Sequence, residues 1–213
     1  MFDGQDGVNQ PVALALDALH HRLYWTEPEH DRIMWAFLGG SNPRELYGRR
    51  NGVDRPFGIA LDPVRGYAYW VEAGDRQVVR GSLDDGSLPV ILYHGTHGLQ
   101  APFGLALDAA ANQIYLLDNP VPVSGGEYRQ DCLWRGRLDG TSGLEALYDQ
   151  TDGVHNAYSI LFDPRQQRIF WLNQLEPSVI MRGDAEGSEP AGTFAGVSGI
   201  GFAVALYDPA DGL

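Results

Sequence analysis

The chain has 213 residues, 44% hydrophobic and 20% charged, so it can bury a sizeable core within one domain. Its net charge of −13 argues against nucleic acid or an anionic membrane as partner, because both need a basic footprint. All 15 basic residues are Arg, which excludes Schiff-base chemistry and a lysine general base; we read the missing Lys as a genome-wide base-composition bias.

Met1-Phe2 reads as the end of a fourth strand. An apolar strand then closes at Asp17, followed by Tyr24-Trp25-Thr26-Glu27, by Ile33 to Leu38, and by a short strand ending in Leu46-Tyr47. The same order returns with Phe57 to Asp62, Tyr69 to Glu72, Val78 to Leu83 and Leu92-Tyr93. It returns again with Phe103 to Asp108, Tyr115 to Asp118, Cys132 to Leu138 and Leu147-Tyr148. A fourth round closes its inner strand at Asp163 and continues through Phe170 to Asn173 and Val179 to Arg182, with Thr193-Phe194 in the place of the Leu-Tyr pairs. Phe202 to Asp208 is a fifth inner strand that fits once Tyr207 is treated as inserted, which predicts a bulge. β-branched and aromatic runs bounded by Gly, Pro, Asp and Asn are strands, and no amphipathic stretch of helix length interrupts them.

The aspartates that close the inner strands, Asp17, Asp62, Asp108, Asp163 and Asp208, are spaced 45, 46, 55 and 45 residues apart. That period is the length of one four-stranded propeller blade. The expected fold is all-β, a β-propeller of four-stranded antiparallel blades in a single domain over 1–213. Its units lie near 12–56, 57–102, 103–157 and 158–202, with a partial unit at 202–213. Small residues at Ala13, Gly58, Gly104 and Ser159, and again at Ala15, Ala60 and Ala106, fit inner strands that converge on an axis. Trp25, Trp70 and Trp171 share one second-strand position and are expected between the sheets.

A Gly-Ile-Ala-Leu-Asp-Pro strand, a Tyr-Trp-Thr-Glu strand and an Arg-Gly-x-Leu-Asp-Gly strand at this period resemble the YWTD repeat of the low-density lipoprotein receptor class. The resemblance covers nearly the whole chain and implies a propeller that binds partners on one face. Propellers of that family close with six blades, whereas this chain holds about four, with an orphan strand at each terminus. Two chains that associate into a larger ring, a homodimer, would cover the unpaired edges, as would a longer propeller of which this is part. The single Cys132 forbids an intrachain disulfide framework and reads as a buried core thiol. Family receptors carry cysteine-rich modules, absent here, and no apolar leader follows Met1; the expectation is a cytoplasmic, bacterial-type protein.

Ligand binding is expected where the outer-to-inner connections gather at the axis. Gly7-Val8, Gly52-Val53, Gly98-Leu99 and Gly153-Val154 form a constant frame. The varied residues after it, Gln10, Arg55, Gln100, His155 and Asn156, would ring the axis and read the ligand. A ten-residue insertion within 119–131 falls over the same face, and its Tyr128 and Arg129 suit a planar or carboxylate ligand. Glu27, Glu72, Asp118 and Asn173 close the second strands in every unit, which predicts a structural role toward the loops of the neighbouring blade.

Two functions follow. One is a recognition propeller that binds a small molecule or a protein. The other is a small-molecule enzyme, lactonase-like or biosynthetic, in which His97 or His155 acts as general acid or base, Arg55 holds a carboxylate and Glu72 orients the imidazole. No cofactor is implied. No metal is implied either, since His94 and His97 read as solvated loop residues and His20-His21 lies in a hairpin on the opposite face.

Overall fold

The protein is described by a computed structural model over residues 8–40, 42–84, 87–119, 130–189 and 191–197. Among the described residues sixteen strands form four antiparallel sheets, each taking its strands in chain order from inner to outer. The first holds β1 (Leu14–Asp17), β2 (Arg22–Glu27), β3 (Arg32–Phe37) and β4 (Arg44–Tyr47). The second holds β5 (Pro56–Asp62), β6 (Tyr67–Glu72), β7 (Gln77–Ser82) and β8 (Val90–Tyr93). In the third are β9 (Pro102–Asp108), β10 (Gln113–Asp118), β11 (Cys132–Arg137) and β12 (Glu145–Asp149). The fourth has β13 (Ala157–Asp163), β14 (Arg168–Asn173), β15 (Ser178–Asp184) and β16 (Gly192–Val197). The chain is therefore an all-β propeller of four blades, as the period requires. The strands proposed at Met1-Phe2 and at Phe202 to Asp208 lie outside the described residues. Among the described residues no helix is long and apolar enough to cross a membrane.

Each blade is started by its inner-strand aspartate. Asp17, Asp62, Asp108 and Asp163 are buried and accept backbone N–H groups of the following turn, from His20 at 2.9 Å, Arg65 at 3.1 Å, Ala111 at 3.0 Å and Arg165 at 2.9 Å. A short polar side chain that bonds its own turn fixes the hairpin, which explains why the residue recurs.

The core lies between blades. Tyr24, Ile33, Tyr47 and Ile59 join Trp70 between blades 1 and 2, and similar layers fill the next two joints. One tyrosine organises each joint. Tyr47, Tyr93 and Tyr148, at the ends of β4, β8 and β12, cross to the next blade. Their hydroxyls donate to the carbonyls of Ser82 at 2.8 Å, Arg137 at 2.8 Å and Glu189 at 2.9 Å. Tyr47 stacks on Trp70 at 5.3 Å and Tyr148 on Trp171 at 5.5 Å between centroids. The rings lie against Gly81, Gly136 and Gly183, where an added Cβ would come 2.5 to 2.7 Å from the tyrosine. The Arg-Gly of the third strand is thus a socket for the preceding blade's tyrosine. Near the axis, a Cβ on Gly58 would meet the Phe103 carbonyl at 2.6 Å and one on Gly104 the Tyr158 carbonyl at 2.9 Å, so glycine is what lets these inner strands approach.

One register differs from the sequence reading. Ile33, Val78 and Leu133 pair with Tyr47, Tyr93 and Tyr148, and the equivalent Ile180 pairs with Ala195. Each outer strand carries a bulge at the preceding residue, so Phe194-Ala195, not Thr193-Phe194, occupies the Leu-Tyr place.

Candidate functional site at the axial face

The first ends of the inner strands, the last ends of the second strands and the outer-to-inner connections all lie on one face. Gln10, Arg55 and Asn156 immediately precede Pro11, β5 and β13, and all three adopt left-handed backbone, with φ of 51°, 49° and 46°. Their counterpart in blade 3 is Ala101; Gln100 stands one place earlier, level with His155. The ring drawn from the sequence therefore combines two adjacent positions. Arg55 and Gln10 are exposed, while Gln100, His155 and Asn156 are half-buried.

Two carboxylates that sequence reasoning passed over hold this geometry. Asp31, just before β3, accepts the Arg55 N–H at 2.9 Å and the Arg49 Nε at 2.7 Å. Asp131, just before β11, accepts the Asn156 N–H at 2.6 Å. Both reach from one blade into the next. Burial pushes the Asp31 carboxyl up, but the Arg55 N–H and the Arg49 guanidinium outweigh it and hold it below the usual carboxylate range. The one available signal was position, an aspartate directly ahead of a third strand.

The residues that close the second strands bond the backbone of the loops, the structural role that their repetition predicts. Glu27 accepts the Asn9 N–H at 2.8 Å, Asp118 accepts Ala101 at 2.6 Å, and the Asn173 side-chain oxygen accepts His155 at 3.1 Å. Ala101 and His155 close the units before those of Asp118 and Asn173, so these bonds tie the loop leaving one blade to the second strand of the next. Glu72 is buried and takes the Trp70 indole N–H and the Gln77 amide, each at 2.7 Å. Burial raises its carboxyl above the ordinary range, against the pull of those two donors and of the Asp54 backbone N–H. Its oxygens thus serve the core and the Asp54 N–H of the connection, and the imidazole-orienting role is taken by neither.

His97 is exposed and belongs to a turn frame. Its Nδ1 accepts the His94 N–H at 3.2 Å, as Asn51 accepts Gly48 at 3.2 Å and Asp152 accepts Asp149 at 3.1 Å in the other connections. The side chain caps a single-turn 3-10 helix leaving the outer strand, three residues before the chain reaches the axial position of Gln100. His155 stands in a separate connection, between blades 3 and 4. Arg55, Gln100, His155 and Asn156 are thus held at the axial face, whereas His97 sits on its outer side and Glu72 in the core. Tyr128 and Arg129 lie outside the described residues.

An arc of aromatic rings on the inner strands was also missed. Phe57, Phe103 and Tyr158 are half-buried, with centroids 4.7 and 5.2 Å apart, and each lies two places beyond Arg55, Ala101 or Asn156. Along the sequence Phe57 and Phe103 read only as the first residues of inner strands. Beside the arc, Asn156 accepts the Asn119 amide at 3.0 Å and donates to the Gln174 carbonyl at 3.1 Å. Apolar ring faces, an exposed guanidinium and fixed amides can bind a ligand that offers both a planar or apolar body and a polar or anionic end. Among the described residues no three His, Cys, Asp or Glu side chains converge as a metal-binding group. Cys132 is buried, and burial pushes its thiol up to about 12, an inert core group.

No protein-family model matches the chain, and no curated protein does. Solved structures do. A nidogen–laminin complex matches at TM-score 0.76 and 22% identity, over 92% of this chain and 68% of the other. A gluconolactonase from Xanthomonas campestris matches at TM-score 0.63 and 18% identity, over 81% and 57%. The hydrazine synthase of Kuenenia stuttgartiensis matches at TM-score 0.62 and 11% identity, over 86% and 53%. This chain therefore spans about half to two thirds of the length of these neighbours. The fold they share is the β-propeller, carried by a protein of a protein–protein complex and by enzymes alike.

Proposed function

We propose that this chain is a recognition propeller of the YWTD-repeat kind, which binds a small molecule or a protein segment on its axial face. The observation that carries this reading is the arc of Phe57, Phe103 and Tyr158 beside Arg55 and Asn156. Rigid aromatic surface with an adjacent exposed cation is a binding arrangement that needs no reactive group. The net charge of −13 supports a neutral or cationic-faced partner, with Arg55 taking any single carboxylate. The likeness to a gluconolactonase supports a second reading as a lactone hydrolase, with His155 as its base.

Benzoate and phenylacetate, which pair a ring with a carboxylate, are the first probes by calorimetry, and glucono-δ-lactone is the substrate for turnover. Arg55→Ala should weaken carboxylate binding about tenfold, roughly 1.4 kcal/mol of charge-assisted contact, and Phe103→Ala by a similar factor. Binding indifferent to both changes would refute the axial reading. Lactone turnover abolished by His155→Ala would favour the enzyme instead.

A further inference from the structure

Among the described residues five arginines are half-buried, Arg22, Arg32, Arg80, Arg135 and Arg168. Four of them hold carboxylates at 2.6 to 2.9 Å, Arg22 that of Asp84, Arg32 that of Glu27, Arg135 those of Glu145 and Glu186, and Arg168 that of Glu189. Arg80 holds none among the described residues. Its guanidinium lies over the Tyr67 ring, 4.6 Å from the centroid and beside the Tyr69 hydroxyl, and its Nε is buried with no hydrogen-bond partner. A cation taken partly out of water without a counter-charge carries a cost that the other four arginines avoid.

The repeat shows which partners Arg80 lacks. It stands in β7 opposite Tyr69 and Val90, as Arg135 stands in β11 opposite Tyr115 and Glu145. Where Arg135 has Glu145 of its own outer strand, Arg80 therefore has Val90. Arg135 also reaches Glu186 of blade 4, three residues past the socket at Gly183, and Arg22 of blade 1 reaches Asp84 of blade 2, three past Gly81. The equivalent acid in blade 3 is Asp139, three past Gly136, and it turns instead to the Asn112 amide at 2.9 Å and the Thr141 hydroxyl at 2.6 Å. The joint between blades 2 and 3 is thus the one whose bridging cation has no acid.

Directly opposed residues of neighbouring strands lie on one face of a sheet, and so do residues two apart along a strand. Arg80, Tyr67 and Val90 therefore share the face that Tyr69 packs against Leu105 and Ile114 of blade 3. They stand at the start of β6, the end of β7 and the start of β8, at the end of the blade away from the axial mouth. Val90 is 50% exposed and Leu88, two residues earlier, 74%, so apolar surface lies open beside the unpaired cation. A guanidinium held flat on a ring is preorganised to take a carboxylate in two parallel bonds. We propose that this groove between blades 2 and 3 binds a carboxylate carried by an apolar body, the carboxylate on Arg80 as Glu145 and Glu186 lie on Arg135, and the apolar body over Val90 and Leu88.

NMR titration of the isotope-labelled chain with hexanoate tests this. Hexanoate should shift the amides of Gly81 and its neighbours saturably, and hexanamide, which lacks the charge, should not. Arg80→Gln should weaken the binding at least about tenfold. Val90→Glu supplies the carboxylate that blade 3 has in Glu145, so it should close the site to hexanoate, whereas Val90→Gln should bind it as the unaltered chain does. Because Val90 is an exposed side chain, this pair of variants decides the matter even where Arg80→Gln fails to fold. An acetylated Val-Glu-Val amide offers the same group on a peptide, and the tighter of the two probes tells whether the source of the carboxylate is a small acid or a protein segment. The absence of a saturable shift with either probe would overturn the proposal, as would undiminished binding by folded Arg80→Gln or equal binding by Val90→Glu and Val90→Gln. Arg55→Ala should leave these shifts intact, so this site and the axial one fail independently.

Discussion

Gly81→Ala is the sharpest probe of how the blades are joined. The new Cβ would sit 2.5 Å from Cε2 and 2.7 Å from Cζ of Tyr47, against about 3.5–4.0 Å for relaxed carbon contact. Tyr47 cannot easily move away, since its ring stacks on Trp70 at 5.3 Å and its hydroxyl is bonded to the Ser82 carbonyl at 2.8 Å. Overpacking of this kind costs about 1–3 kcal/mol, and alanine in place of a strand glycine returns roughly 0.5–1 kcal/mol of chain entropy. The net expectation is a loss of about 1–2 kcal/mol, or a fall in Tm of roughly 2–8 °C for a domain of this size. Thermal melts of Gly81→Ala in the native and Tyr47→Ala backgrounds check the cause, because without the ring the same change should cost nothing or stabilise. Gly39→Ala, with open space around it, is the control. An equal cost in both backgrounds, or no cost in the native one, would refute the socket.

Two further outcomes follow from the same joints. Trp70 is fully buried and bonds Glu72 through its indole, so Trp70→Ala should cost about 3–5 kcal/mol in urea unfolding, more than truncation of the half-buried Trp35 or Trp134. Asp31 has a folded-state pKa below its unfolded one, so its stabilisation is present above the unfolded value and is lost as pH falls through the folded value. Stability of the native chain should therefore decline below about pH 4, and Asp31→Asn should show a smaller decline there. A stability difference between the two that stays constant from neutral to strongly acid pH would count against the Asp31 bridge.

The sequence by itself determined the blade. A repeated aspartate at a period near 45 residues, aromatic second strands and glycines in third strands are local chemistry, because a strand's faces alternate by the geometry of its own backbone. The buried Trp25, Trp70 and Trp171 and the small inner-strand residues Gly58 and Gly104 were legible for that reason. What passes between blades was not. The reach of Asp31 to Arg55 and of Asp131 to Asn156 depends on how far one sheet is rotated from the next, and no spacing along the chain encodes that. His97 looked like a free imidazole until its bond to His94 showed a turn cap equivalent to Asn51 and Asp152. A bulge in each outer strand adds a residue without adding a partner, so counting placed Phe194 in the socket position that the tertiary pairing gives to Ala195. The rings of Phe57, Phe103 and Tyr158, separated by 46 and 55 residues in the chain, become one surface only when three inner strands are brought side by side around the axis.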